Sequence, residues 1–112
     1  MLPKKYRLPL RTELHRAQRE GTTYQFPFFG LLVAKNKLSL SRFAFIVSNK
    51  IHKKATKRNR IKRLLGESVR SLLAKTNPGF EVVFLAKKKI VGQNLKTTRS
   101  AIVKSFKEIG LI

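Results

Sequence analysis

The sequence has 112 residues, 42% of them hydrophobic, which suffices for one compact domain with a thin stability margin and leaves no room for a second core. Lysine and arginine number 26 against five glutamates and no aspartate, a net charge of +21 that repels itself in a compact fold unless a polyanion neutralises it. Cysteine is absent, which excludes disulfides and thiolate chemistry, and no apolar run approaches the roughly 20 residues that span a bilayer.

In chain order, Met1-Leu2-Pro3-Lys4-Lys5-Tyr6-Arg7 is basic without a following apolar stretch, so it does not read as a secretory signal and a cytoplasmic protein is expected. Two prolines keep the opening extended through Leu10. Thr12 to Arg19 reads as a short helix with Leu14 and Ala17 on one side, Arg16 and Arg19 on the other, and Gly21 as its stop. Thr22 to Ala34, rich in aromatic and β-branched residues, reads as strand, and Asn36 to Ser41 as a polar turn region. Arg42 to Ser48 reads as a further strand, with Phe43, Phe45 and Val47 on one face and Ala44 and Ile46 on the other. Residues 50–63 then hold eight Lys or Arg and no acid. Helical periodicity starts within them: Ile61, Leu64, Leu65, Val69, Leu72 and Leu73 form one apolar arc, and Asn77-Pro78-Gly79 ends it. Phe80 to Ala86 reads as a strand covered on both faces. Lys87-Lys88-Lys89 follows, then a final helix from about Asn94 that buries Leu95, Ile102, Phe106 and Ile109. The order helix, strands, helix, strand, helix gives an α+β fold in which a sheet packs against helices.

The stretch Lys57-Arg58-Asn59-Arg60-Ile61-Lys62-Arg63-Leu64 concentrates five cations and an amide near the start of the central helix. At about 100° per residue, Asn59, Arg63, Gly66 and Arg70 share one outward stripe opposite the apolar arc. Arg58 and Lys62 fall close to the apolar side, so the first turn must project beyond the core and expose cations all round. Arginine offers a planar fork to phosphate oxygens, and asparagine pairs with sugar hydroxyls or base edges. Most charge runs are solvated faces; one with no compensating acid, on a well-anchored helix, points to a polyanion site.

Protein-based cleavage chemistry finds little support. Glu13, Glu20, Glu67, Glu81 and Glu108 are scattered among cations, not clustered as Mg²⁺ ligands. His15 and His52, the only histidines, fall on segments with no evident reason to converge as an acid–base pair. No Ser or Thr sits in a nucleophile motif, and no glycine-rich phosphate loop is present. On residues alone, three alternatives stay open: a ribosomal or assembly-type RNA-binding module, a histidine nuclease, or a basic membrane-surface or DNA-architectural protein. Helices committed to a sheet core weigh against the membrane.

The string from Lys57 to Leu64 closely resembles the signature of the bacterial ribonuclease P protein family. Around it, Arg42-Phe43-Ala44-Phe45-Ile46-Val47-Ser48-Asn49-Lys50 is similar to the family's strand leading to a lysine pair, and Ala55 stands three residues before Arg58. Arg7-Leu8, Glu13-Leu14, Gly21 and the strand ending in Ala86-Lys87 extend the likeness over nearly the whole chain. The resemblance implies a small single-domain α-β-β-β-α-β-α sandwich like the second domain of the fifth small-subunit ribosomal protein. It also implies a left-handed strand–helix–strand crossover, which general chirality rules disfavour. The implied function is the protein subunit of an RNA-based endoribonuclease that removes the 5′ leader of precursor tRNA. One copy would sit on each catalytic RNA, with Mg²⁺ bound mainly by that RNA. Carried over, the RNA-facing residues are Lys50, Lys53, Lys54, Arg58, Asn59, Arg60, Lys62, Arg63 and Arg70. A leader cleft between the N-terminal helix and the sheet would gather Arg11, Leu14, Gln18, Tyr24 and Phe28. The chain departs from the pattern at Asn49, in place of one lysine of the pair, at Ala44, where glycine is common, and at Gly66, usually arginine. Leu14 and Gln18 stand where the family carries two phenylalanines that touch the leader. Tyr24, Phe26 or Phe28 could supply that stacking, worth roughly 1–3 kcal/mol per base, although at least two of the three are expected in the core.

Overall fold

A computed structural model describes residues 2–112. Its strands are β1 (Thr22–Gln25), β2 (Phe29–Lys35), β3 (Arg42–Ile46) and β4 (Phe80–Ala86), and its helices α1 (Leu10–Glu20), α2 (Ala55–Arg70) and α3 (Leu95–Ile109). The strands form one sheet in the order β1-β2-β4-β3. β2 is antiparallel to both β1 and β4, whereas β3 and β4 run parallel with α2 crossing between them. The α-β-β-β-α-β-α order is therefore present. The stretch 22–34, which reads as one strand, is two. Pro27 has no N–H for a ladder, and the Phe26 N–H bonds back to the Phe29 carbonyl at 3.0 Å to close the turn.

Gly21 ends α1 because nothing larger fits: its N–H reaches the Ala17 carbonyl at 2.8 Å, and a Cβ would stand 2.5 Å from that oxygen. Ahead of α1 a single 3₁₀ turn (Lys4–Tyr6) interrupts the extended opening. The chain then lies along β3, with the Leu8 N–H bonded to the Phe43 carbonyl at 2.8 Å.

Strand alternation sorts the core into two layers. Phe29, Leu31, Phe43, Val82 and Phe84 face α2 and α3, where Ile61, Leu65, Val69, Ile102 and Phe106 meet them. Leu32, Ala34, Ala44 and Val83 face the other way, toward Ala17 and Leu14 of α1. β4 is thus covered on both faces, and Phe43, Phe45 and Val47 oppose Ala44 and Ile46, as the sequence indicates.

Two helix ends differ from expectation. α2 stops at Arg70; Leu72 leaves helical geometry (φ −110°, ψ 0°) and is buried, and a 3₁₀ turn (Leu73–Lys75) leads into residues 77–79. In α3, Asn94 is the cap, its side chain accepting the Thr97 N–H at 2.8 Å. Leu95 therefore sits in the first turn, ahead of the core, and is 49% exposed; the buried stripe is Thr98, Ile102, Ser105 and Phe106, with Ile109 half-buried. Among the described residues no helix is long and apolar enough to cross a membrane.

Candidate nucleic-acid interface

The core reaches α2 only from Ile61 onward. The turns before it project past the sheet and carry Lys54, Lys57, Asn59 and Arg60 into solvent, with Lys62 and Arg63 exposed just beyond. Lys50 and Lys53 are exposed on the preceding loop, and Arg70 at the far end of the helix. No acid lies in the first turn of α2, and its N-cap, Lys54, makes no side-chain cap. The unpaired N–H groups at that end add to the attraction for anions.

Two residues of the motif sit differently from expectation. Arg58 is half-buried, and its guanidinium donates to the carbonyls of His52 at 3.0 Å and Lys53 at 2.7 Å. It ties the lysine loop to the helix, because these carbonyls have no ladder to pair with. Gly66 does not face outward; it is buried, and a Cβ there would lie 3.9 Å from the Phe45 ring. Phe45 covers the helix there, at a spacing where a methyl group would make ordinary van der Waals contact. Next to it, a groove of about 400 Å³ runs between α2 and the N-terminal segment, lined by Asn59, Lys62 and Arg63 on one side, Arg7 and Leu10 on the other, with Phe43, Ala44 and Phe45 beneath.

The residues expected in a leader cleft do not all gather. Arg11, Leu14 and Gln18 follow one another along one face of α1. Leu14 packs on the layer formed by Leu32, Ala34, Ala44 and Val83, while Arg11 and Gln18 are exposed. Tyr24 pairs with Leu31, whose side chain faces α2 and α3, so Tyr24 lies on the sheet face away from α1. Phe26 and Phe28 also pack against that far core, with Lys89 Nζ 5.9 Å from the Phe28 ring. Phe26 and Phe28 are half-buried against the core, Tyr24 is exposed, and none of the three joins Leu14 and Gln18.

A buried network fixes α1 to the sheet. Glu81 of β4 is fully buried and accepts from Arg42 Nε at 2.9 Å, from Asn36 Nδ2 at 3.2 Å and from Arg16. Arg42 reaches on to Glu13 of α1 at 3.1 Å. Burial pushes the Glu81 carboxyl up, but hydrogen bonds from Arg42 and Asn36 and the charges of Arg42 and Arg16 outweigh it and hold it below the usual range. Glu13 and Glu81 are thus not scattered, as the sequence alone indicated, but joined through Arg42. The available signal was a single acid in an otherwise apolar strand, which must find cations when buried. This carboxylate pair does not suit a divalent ion, since guanidinium groups occupy it. Among the described residues no three His, Cys, Asp or Glu side chains form a metal site. His15 is exposed on α1, whereas His52 sits in the loop before α2.

A projecting cationic ridge without acids fits several kinds of RNA-binding protein, and comparison with known families separates them. The sequence model of the family described as Ribonuclease P matches residues 2–110. The chain belongs to the ribonuclease P family. The ribonuclease P protein component of Clostridium botulinum (strain Loch Maree / Type A3) is 33% identical over 88% of this chain and 89% of that one. That of Caldanaerobacter subterraneus subsp. tengcongensis is 36% identical over 88% and 84%. The RNase P protein from Thermotoga maritima has the same fold, with a TM-score of 0.84 and 30% identity over 91% of this chain and 96% of that one. A ribonuclease P protein component is a subunit of the RNA–protein endoribonuclease that processes the 5′ end of tRNA, so an RNA partner is inherent in the assembly.

Proposed function

We propose that the catalytic RNA of this ribonuclease P docks on the start of α2 and the loop before it, through Lys50, Lys53, Lys54, Asn59, Arg60, Lys62 and Arg63, with Arg70 at the ridge's far end and Arg58 holding the loop in place. The observation that carries this reading is the projection of the first turns of α2 beyond the core, with cations exposed and no acid among them. Neutralising phosphates there releases counterions and lets two negatively charged RNAs approach each other. The 5′ leader of precursor tRNA follows the exposed edge of α1 past Arg11, Leu14 and Gln18, held mainly by charge and apolar contact, since Tyr24 and Phe28 lie elsewhere. Cleavage belongs to the RNA. Mg²⁺ is held mainly by it, one protein copy sits on each RNA, and the assembly works in the cytoplasm.

The test is reconstitution at low Mg²⁺ with precursor tRNA, the purified chain and a transcript of a bacterial ribonuclease P RNA. Correct 5′ cleavage is expected only when protein and RNA are both present. Arg60→Ala and Arg63→Ala should each flatten the salt dependence of RNA binding by about one unit. Unchanged slopes would remove the ridge from the interface, and cleavage by the protein alone would redirect attention to His15 and His52.

A further inference from the structure

The ridge has a second flank. On the side of α2 turned away from the groove, a recess of about 240 Å³ lies between the helix and the loop Ile90–Gln93. One wall presents His52, Lys57 and Arg60, the other Val91, Gly92 and Gln93, with Leu64 and Ile90 among the apolar residues between them. The hydrogen-bonding pattern is definite. The Lys54 N–H donates to His52 Nδ1 at 3.1 Å, which leaves Nε2 as the nitrogen that carries a proton outward in the neutral ring. Gln93 uses its Nε2 on the Lys89 carbonyl at 3.2 Å, which leaves its Oε1 as an acceptor. Gly92, with φ 82°, adds no side chain to the mouth.

Bare phosphate would use the cations but not the apolar surface or the amide acceptor. An apolar ligand would leave Lys57 and Arg60 without a role. A nucleotide uses all of them, and the volume lies below the ~300–1,000 Å³ that drug-sized ligands fill, so there is room for one base and no more. We propose that this recess takes a single unstacked nucleotide of the RNA partner. Its phosphate rests on Lys57 and Arg60, its base lies against Leu64 and Val91, and Gln93 Oε1 accepts from an exocyclic amine or a ring imino group. Recognition of splayed-out bases by such edge contacts is how proteins read folded RNA. This inference rests on the docking of RNA along α2 and adds the turn before α3 to the interface.

The experiment uses the full chain and a transcript of a bacterial ribonuclease P RNA. Val91 is 41% exposed and the chain has no cysteine, so Val91→Cys carries an azidophenacyl photocrosslinker at one site. The crosslink is expected at one nucleotide or two adjacent ones, and its yield at sub-saturating RNA is expected to fall about five-fold in Val91→Cys/Gln93→Ala. Gln93→Ala alone should weaken binding about five-fold, the worth of one hydrogen bond, with the salt slope unchanged because no charge is lost. Crosslinks scattered over the RNA, wild-type affinity of Gln93→Ala, or a changed slope in that variant would each overturn the assignment. Arg63→Ala, on the other flank, is the control. If it weakens binding while Gln93→Ala does not, the recess is excluded and the ridge stands; if neither matters, the ridge falls and takes the recess with it.

Discussion

Glu81 shows how one buried charge can be held in a chain of net charge +21. It has no exposure, and Arg42, Arg16 and Asn36 share its two oxygens. Removing the carboxylate leaves Arg42 and Arg16, both partly exposed, with Glu13 as their shared remaining acid, at a cost of about 1–3 kcal/mol for the lost buried acceptor. Glu81→Gln should lose that much at pH 7 in urea unfolding. The pH dependence has a definite sign. The folded carboxyl is held below its unfolded value of about 4.3, so its contribution is complete above that pH and is lost as pH falls through the folded value. The gap between wild type and Glu81→Gln should therefore narrow on acidification below about pH 4. A gap that stays constant to about pH 3 would mean that packing, not charge, sets the cost. The sequence could show that Arg42 and Glu81 each face the side of the sheet opposite the Phe layer. Their meeting depends on β3 lying beside β4 in the register Arg42↔Glu81, which a crossover through α2 creates and local pattern does not reveal.

At the scale of elements, the two long helices begin in opposite ways. α3 has an asparagine cap; α2 has a lysine in that position, no side-chain cap and a cationic first turn. Asp, Asn, Ser or Thr at an N-cap is worth about 1 kcal/mol over an uncapping residue, and Lys54 already has the extended geometry a cap needs (φ −78°, ψ 124°). Lys54→Asp should therefore raise thermal stability while weakening binding of the catalytic RNA and lowering its salt slope. A more stable variant that binds RNA as tightly as wild type would take the start of α2 out of the interface. The same helix marks how far the sequence can be read. Its apolar arc from Ile61 to Val69, the strand at 80–86 and the start of the last helix near Asn94 follow from contacts within a few residues, and each is where the pattern puts it, whereas the arc's last members, Leu72 and Leu73, lie past the helix end. Arg58 turned back onto the carbonyls of His52 and Lys53 because of how the loop closes, which periodicity does not encode. Tyr24 fell on the far face of the sheet because the turn at Pro27 makes 22–34 a hairpin, whose register, not its composition, sets the side each residue takes.

For the molecule as a whole, one physical quantity acts in two directions. The net charge of +21 opposes compaction and favours RNA, so screening should relieve the first effect and weaken the second. The Debye length shrinks from about 30 Å at 0.01 M salt to about 3 Å at 1 M. Repulsion among the exposed cations of α2, the Lys87–Lys89 run and α3 acts over such distances and should fade across that range. The Glu81 network is buried and much less sensitive to salt. The melting temperature of the free chain should accordingly rise with added salt while its affinity for the catalytic RNA falls log-linearly. Thermal melts and binding titrations over the same salt series read both. A melting temperature that fell with salt would show that attractive ion pairs, rather than repulsion, dominate the free protein. The excess positive charge would then not be a cost that RNA relieves, and the electrostatic case for the α2 ridge would have to rest on its local geometry alone.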